Sequence, residues 1–387
     1  MVMRLTAGRR RAVVGVLGTT QTISWASSYY LPAVLAAPMA ASMGFSPVLV
    51  FSAFSMAMVV SAIVGPWAGA RIDRVGGRGL LMLSNVVFAA GLLVLAVAPS
   101  PVVVFAGWAV IGLGMGMGLY EAAFTTLAGV YGREARGPIT GITLIAGFAS
   151  TVGWPLTAVM LATWGWREAC VGWALIHLCL ALPLNALLPE RSVRSVVAKD
   201  EPEAEGPPPS RVALGLLSFV FAATWFNSTA MAAHLPGLLQ AAGASTAVAI
   251  AAGALIGPAQ VAARLLEFGL LRRFHPLASA RLAAAAHPVA AVGLVAFGGP
   301  AAYGFALLHG AGNGLLTIAQ GTLPLALFGA GGYGRRLGWL NAPARMVQAA
   351  APLVFGAALA VWGVSAIWLT AGIGVLSTLA LLLLRRT

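Results

Sequence analysis

Residues 69–78 read "GARIDRVGGR", a polar island between two long apolar runs. The run before it, 46–70, and the run after it, 79–98, carry no charged side chain. A helix needs about 20 apolar residues to cross the hydrocarbon core of a bilayer, and both runs are long enough. The island therefore reads as a short loop joining two membrane spans. Its arginines, Arg71, Arg74 and Arg78, place it on the cytoplasmic side by the positive-inside bias.

The whole chain has the same character. It is 60% hydrophobic and only 9% charged over 387 residues, whereas a soluble chain carries about a quarter charged residues. That leaves a polytopic membrane protein, surrounded by lipid. The net charge of +13 does not imply nucleic acid as a partner, because the arginines sit in short clusters between apolar spans. The N-terminus, "MVMRLTAGRRRAVVGVLG", is basic and then apolar without a small-residue cleavage site, so it reads as a retained first helix.

Gly, Pro and charge punctuation divides the chain into twelve spans: 12–39, 46–70, 79–98, 101–131, 134–163 and 166–188, then 211–239, 244–271, 278–298, 300–330, 335–362 and 364–384. The expected fold is an all-α membrane protein with twelve transmembrane helices in two pseudo-symmetric six-helix bundles, 1–189 and 211–387. Arginine-bearing loops alternate with nearly uncharged ones such as "APSPV" and "FGGPA"; "GWREA", with Arg167 and Glu168, is the exception. With Arg4, Arg9, Arg10 and Arg11 before the first span and Arg385 and Arg386 after the last, both termini are expected in the cytoplasm of a multi-pass protein of the inner membrane. Residues 190–210 hold the sole lysine, Lys199, and five of the ten acids, and read as a cytoplasmic linker that only tethers the halves. The halves echo each other at an offset of 200: Trp25 and Ser28 match Trp225 and Ser228, and Gly69 matches Gly269.

The island resembles the G-x-x-x-D-R-x-G-R-R loop of the major facilitator superfamily and lies after the second span, where that loop belongs. In physical terms, Gly69 permits close helix approach, Asp73 can cap or pair with a neighbouring helix end, and Arg74 and Arg78 hold the cytoplasmic side. The resemblance implies a secondary active transporter working by alternating access, with Gly69, Asp73, Arg74 and Arg78 in gating. Spans 4–6 are similar to the monocarboxylate and oxalate/formate branch: the glycines from Gly112 to Gly118, Tyr131 with Arg133 and Arg136, and Gly165-Trp166-Arg167. Span 8 of that branch carries an arginine with an acid four residues earlier; here these places hold Arg264 and Gln260. Arg345 stands where oxalate-type members carry a second cation. The first span lacks the lysine of many monocarboxylate carriers.

Four ionisable residues lie well inside spans: Glu121, Arg264, Glu267 and Arg345. Each costs about 2.5–3.5 kcal/mol at mid-bilayer, so each should face a cavity or another charge. One reading is internal neutralisation, with Arg264 and Glu267 paired at i, i+3 and Glu121 paired with Arg345 across the halves. The other leaves an arginine available, whose planar fork grips a carboxylate or similar oxyanion in two places. The substrate is then a small organic anion, and Glu121 and Glu267 are the candidate proton carriers of a symport or antiport. By the superfamily resemblance, Trp25, Tyr29, Tyr30, Tyr120, Trp225, Asn227, Asn313 and Gln320 line the cavity.

Cys170 and Cys179 indicate neither a disulfide nor a metal site. His177, His234, His287 and His309 have no metal-ligand spacing, and His275 is in a loop. No nucleophile elbow, phosphate loop or catalytic carboxylate pair is present, so neither an enzyme nor a cofactor is expected, and an ion or substrate gradient is the expected energy source. The expected state is a monomer. Two rivals stay open. "AGFASTVGWP", with Gly147, Gly153 and Pro155, partly resembles the signature of proton-driven exporters of lipophilic or cationic compounds, although span 4 lacks the arginine usual there. A receptor or scaffold that transports nothing is the third reading.

Overall fold

The computed structural model describes residues 7–189 and 210–384. The linker over 190–209 with Lys199, the N-terminal Arg4, and Arg385 and Arg386 lie outside the described residues. Among the described residues every regular element is helical.

The helices run in order as α1 Ala7–Ala26, α2 Pro32–Met43, α3 Pro47–Val75, α4 Arg78–Ala96, α5 Pro101–Gly118, α6 Tyr120–Tyr131, α7 Arg136–Ala146, α8 Ala149–Trp164, α9 Trp166–Ile176 and α10 Leu182–Ala186, then α11 Arg211–Ala241, α12 Thr246–Gly269, α13 Pro276–Phe297, α14 Ala302–Phe328, α15 Tyr333–Trp362 and α16 Ile367–Leu383. Their starts follow the chemistry of exposed N–H groups. Ser46 accepts from the Val48 N–H at 3.3 Å before α3, and Ser245 accepts from the Val248 N–H at 3.3 Å before α12. Proline opens α2, α3, α5 and α13, where its missing N–H costs nothing.

Nine helical runs among the described residues are long and apolar enough to cross a membrane, and one of these, Tyr333–Leu383, is long enough for two crossings. Adding α1 with α2, and α14, accounts for the twelve spans. Their outer faces are apolar: Leu353 is 78% exposed and Val102 is 77% exposed. Such faces belong in lipid.

The helices group into two compact units. One holds the helices up to α10 together with Phe328–Ala342, and the other holds α11 to Leu327 and the chain from Pro343 onward. The first ten residues of α15 thus group with the N-terminal half.

Inside each unit a ladder of glycines sets helix spacing. A Cβ at Gly112 would meet Ala57 O at 2.6 Å, and one at Gly116 would meet Val64 Cβ at 2.8 Å, both on α3. A Cβ at Gly114 would meet Phe88 Cδ1 at 2.9 Å, and Gly118 lies against Ser84, both on α4. In α14, Gly310 and Gly314 abut α12, while Gly312 abuts Ala283 of α13. Small residues every four positions let helix backbones touch where lipid offers no hydrophobic drive for association.

Candidate functional site

The island that opened the sequence analysis is a helix cap. Asp73 Oδ1 accepts from the Gly334 N–H at 2.9 Å, and Oδ2 accepts from the Arg335 N–H at 2.9 Å. These are two of the first N–H groups of α15, which have no partner within the helix itself, and a carboxylate there also meets the positive end of the helix dipole. Gly69, one turn before Asp73, packs directly on the carbonyl of Gly334. Arg74 is exposed and Arg78 half-buried. On α15 the Arg336 guanidinium donates to Phe328 O at 3.2 Å and Gly331 O at 2.9 Å, closing the segment before that helix.

Several spans of the first unit are interrupted in mid-course, spans 1 and 4 among them. Span 1 stops at Ala26 and resumes at Pro32, and span 4 breaks at Leu119, where the backbone turns extended (φ −82°, ψ −166°). Buried Gln21 donates from Nε2 to the freed carbonyl of Gly118 at 2.6 Å. Aromatic rings gather at these breaks. Trp25 lies 5.3 Å from Tyr29 and 4.9 Å from Tyr120 between ring centroids, and Tyr29 lies 5.2 Å from Tyr30. Tyr29 and Tyr30 are half-buried, while Tyr120 is buried. Glu121, half-buried, stands in the first turn of α6, where the helix dipole favours an anion. Broken helices whose ends face a ligand are how membrane transporters present backbone charge at mid-membrane.

In the second unit both buried arginines are braced by a glutamine about one turn away. Arg264 donates from Nη2 to Gln260 Oε1 at 3.2 Å, and Arg345 donates from Nη1 to Gln348 Oε1 at 3.1 Å. The Arg345 guanidinium also lies 4.9 Å over the ring of Trp225, an arrangement in which the cation meets the negative ring face. Arg264, Glu267 and Arg345 are all buried, as is Gln320. Asn227 and half-buried Asn313 line a separate cavity with His287 and His309.

Several groups escaped sequence reasoning. Arg167, the exception among the uncharged loops, donates to Ala96 O at 2.7 Å and Ala98 O at 2.9 Å, capping the end of α4 while stacking on Trp166. Gln21 carries no sequence signal beyond being an amide in an apolar run. The histidine pair, 22 positions apart, has none.

A family model for the Major Facilitator Superfamily matches residues 17–307. That match spans well over half of the chain. The chain belongs to the major facilitator superfamily. Among curated proteins it is 32% identical over 156 residues to an "Uncharacterized 38 kDa protein in 23S RNA operon" of Thermoproteus tenax, covering 40% of that protein's length and 40% of this chain. Solved structures share the fold at low identity. The proton:xylose symporter XylE, bound to 6-bromo-6-deoxy-D-glucose, matches with TM-score 0.79 at 14% identity, over 97% of this chain and 95% of its own. The human organic anion transporter MFSD10 (TETRAN) matches with TM-score 0.72 at 19% identity, over 96% and 99%. FucP in its outward conformation matches with TM-score 0.73 at 14% identity, over 97% and 99%. This superfamily member is a multi-pass membrane protein, and the members of its family are typically non-enzymatic carriers.

Proposed function

We propose that this transporter moves a small organic anion, of monocarboxylate or related oxyanion type, by alternating access across the inner membrane, with both termini in the cytoplasm. The observation that carries this reading is the pair of buried arginines braced by glutamines. A glutamine orients a guanidinium through its carbonyl and adds no negative charge of its own. Trp225 covers one face of Arg345, and a guanidinium takes a carboxylate through its planar edge. The similarity of span 8 to the monocarboxylate and oxalate/formate branch supports the same substrate class.

Arg264 and Arg345 are proposed as substrate contacts, together with Trp225 and Gln320 of the second unit. Tyr29, Tyr30 and Tyr120 are proposed as the aromatic contacts of the first unit, and Asn227 and Asn313 as neutral polar contacts. Glu121 and Glu267 are the proposed proton carriers if transport is proton-coupled rather than exchange. Asp73, Gly69, Arg74 and Arg78 are proposed to gate, because the Asp73 cap is a discrete contact of the kind whose making and breaking separates two states.

The test is a thermal-shift screen of the purified protein against monocarboxylates, dicarboxylates, inorganic oxyanions and lipophilic cations. A ligand that binds the folded state raises the unfolding temperature by mass action. Stabilisation by carboxylates and not by lipophilic cations is the expected result. Stabilisation by lipophilic cations alone would put the exporter reading ahead.

A further inference from the structure

Two positions of a buried polar cluster in the first unit have buried polar counterparts in the second at the 200-residue offset, and the two units build these places differently. In the first unit His177 fills the centre. Its Nδ1 lies 2.9 Å from Asn85 Oδ1 and its Nε2 lies 2.7 Å from Ser27 Oγ, with Phe88 stacked at 4.9 Å. Asn85 Nδ2 donates to Leu81 O at 2.8 Å, which leaves Oδ1 as the acceptor, so His177 donates from Nδ1 and accepts at Nε2. Both ring nitrogens are satisfied. This histidine is a structural plug.

In the second unit the counterparts of Ser27 and His177 are Asn227 and Ser377. A serine is far smaller than a histidine, and the space it leaves is a cavity of about 30 Å³ walled by α11, α13, α14 and α16. At about 10–15 Å³ per water, it holds about two water molecules. Asn227 Nδ2 donates to Thr370 O at 3.0 Å. Asn227 Oδ1, Ser377 Oγ and His287 Nε2 are buried polar atoms on residues that line the cavity, and none has a partner among the described residues. Buried polar atoms without partners are rare in native proteins and call for an occupant. The cavity wall also holds His309, whose Nδ1 lies 2.9 Å from Nδ1 of His287.

We propose that this cavity is a proton-binding site of the C-terminal unit, in which the His287–His309 pair takes up one proton from cavity water held by Asn227 and Ser377. The contact between the two Nδ1 atoms requires a hydrogen between them. In the neutral pair one ring supplies Nδ1–H and keeps a lone pair on its Nε2, while the other accepts at Nδ1 and carries its hydrogen on Nε2. Hydronium in the cavity gives its proton to the bare Nε2 and is left as neutral water, and the Nδ1 hydrogen bond survives. A second proton would need the shared lone pair and would break that bond. The pair therefore binds one proton. The resulting imidazolium donates from Nε2 to cavity water, which donates on to Asn227 Oδ1 and Ser377 Oγ. Without that hydrated path a buried cation costs several kcal/mol, so occupancy depends on the water.

The other charged or titratable groups on the packed elements are Arg211 and His234 on α11, Arg264 and Glu267 on α12, Arg281 on α13, Tyr303 on α14, and Tyr333, Arg335, Arg336 and Arg345 on α15. None of them lines the cavity. The site is independent of whether the arginines take an anion.

The experiment is ¹⁵N NMR of histidine-labelled, full-length protein in lipid nanodiscs, titrated between pH 4 and pH 8, with the five histidines assigned by single His→Gln variants. His287 and His309 are expected to titrate together in one proton step and to lose that shared behaviour when either is replaced. His177 is expected to stay neutral throughout. Ser377→Val, which fills and dries the cavity but keeps both histidines, is expected to lower the proton affinity of the pair by about tenfold or more, with Ser377→Ala giving a smaller shift. Independent titration of the two rings, a pair that stays neutral down to pH 4, or an unchanged midpoint in folded Ser377→Val would overturn the proposal. A sodium-dependent shift without proton uptake would overturn it as well.

Discussion

Replacing Asp73 by alanine removes one carboxylate and with it both hydrogen bonds to the first turn of α15, each 2.9 Å long. Loss of an N-terminal cap costs about 0.5–2 kcal/mol, and loss of a charge at the helix end about 0.3–1 kcal/mol more. Because Asp73 is exposed, solvent takes over part of the lost bonding, and a combined cost of about 1–2 kcal/mol is the reasonable figure. Such a cost changes the population of the capped arrangement by a factor of about 5–30. Hydrogen–deuterium exchange reads it directly, since the amides of Gly334 and Arg335 are the two that Asp73 accepts from. Those two amides should exchange about 5–30-fold faster in Asp73→Ala, while the glycine-packed centre of α5 stays protected. Asp73→Asn keeps an acceptor oxygen but not the charge, so its effect should be smaller, with transport impaired at equal membrane expression. Unchanged protection of Gly334 and Arg335 in a folded Asp73→Ala protein would refute the capping argument, and wild-type flux in Asp73→Asn would refute its role in gating.

Gly69→Ala drives a methyl group into the carbonyl of Gly334, so it should cost about 1–3 kcal/mol as overpacking and lower the thermal midpoint more than Gly65→Ala, whose added methyl meets nothing. Gln21→Leu leaves the carbonyl of Gly118 without its donor at the break in span 4. It should destabilise by about 1–3 kcal/mol, visible as a lower unfolding midpoint, whereas Gln21→Glu, which lacks the amide donor but keeps the shape, should be no better. Arg167→Ala removes the cap on α4 and should destabilise the purified protein without altering substrate affinity.

The spans were legible because crossing a membrane imposes a length of apolar sequence that nothing else in the chain imitates. The loop at 69–78 was legible for a related reason: charge between two such spans has one place to go, and Asp73 there meets a helix end. The interruptions at Ala26–Pro32 and Leu119 were not legible, because a span can break in mid-membrane whenever a side chain such as Gln21 satisfies the freed carbonyl. Local sequence does not record which distant amide will do so. The grouping of Phe328–Ala342 with the N-terminal half has the same origin, since the partner of Gly334 is 261 residues away. Among candidate site residues, the sequence singled out the buried arginines by their cost in lipid, while their glutamine braces emerged only from the geometry. The histidines were set aside for lacking metal spacing, and that test says nothing about two rings meeting each other.

The most direct measurement of the anion site is equilibrium binding of a stabilising carboxylate to purified wild type, Arg264→Lys, Arg345→Lys, Arg264→Ala and Arg345→Ala, each shown to be folded. Lysine keeps the charge and loses the planar fork, so both lysine variants should bind about tenfold or more weaker. The alanine variants should bind weaker still, and the double alanine variant should lose less than the sum of the two. Unchanged affinity in folded Arg264→Ala and Arg345→Ala proteins would contradict the anion site.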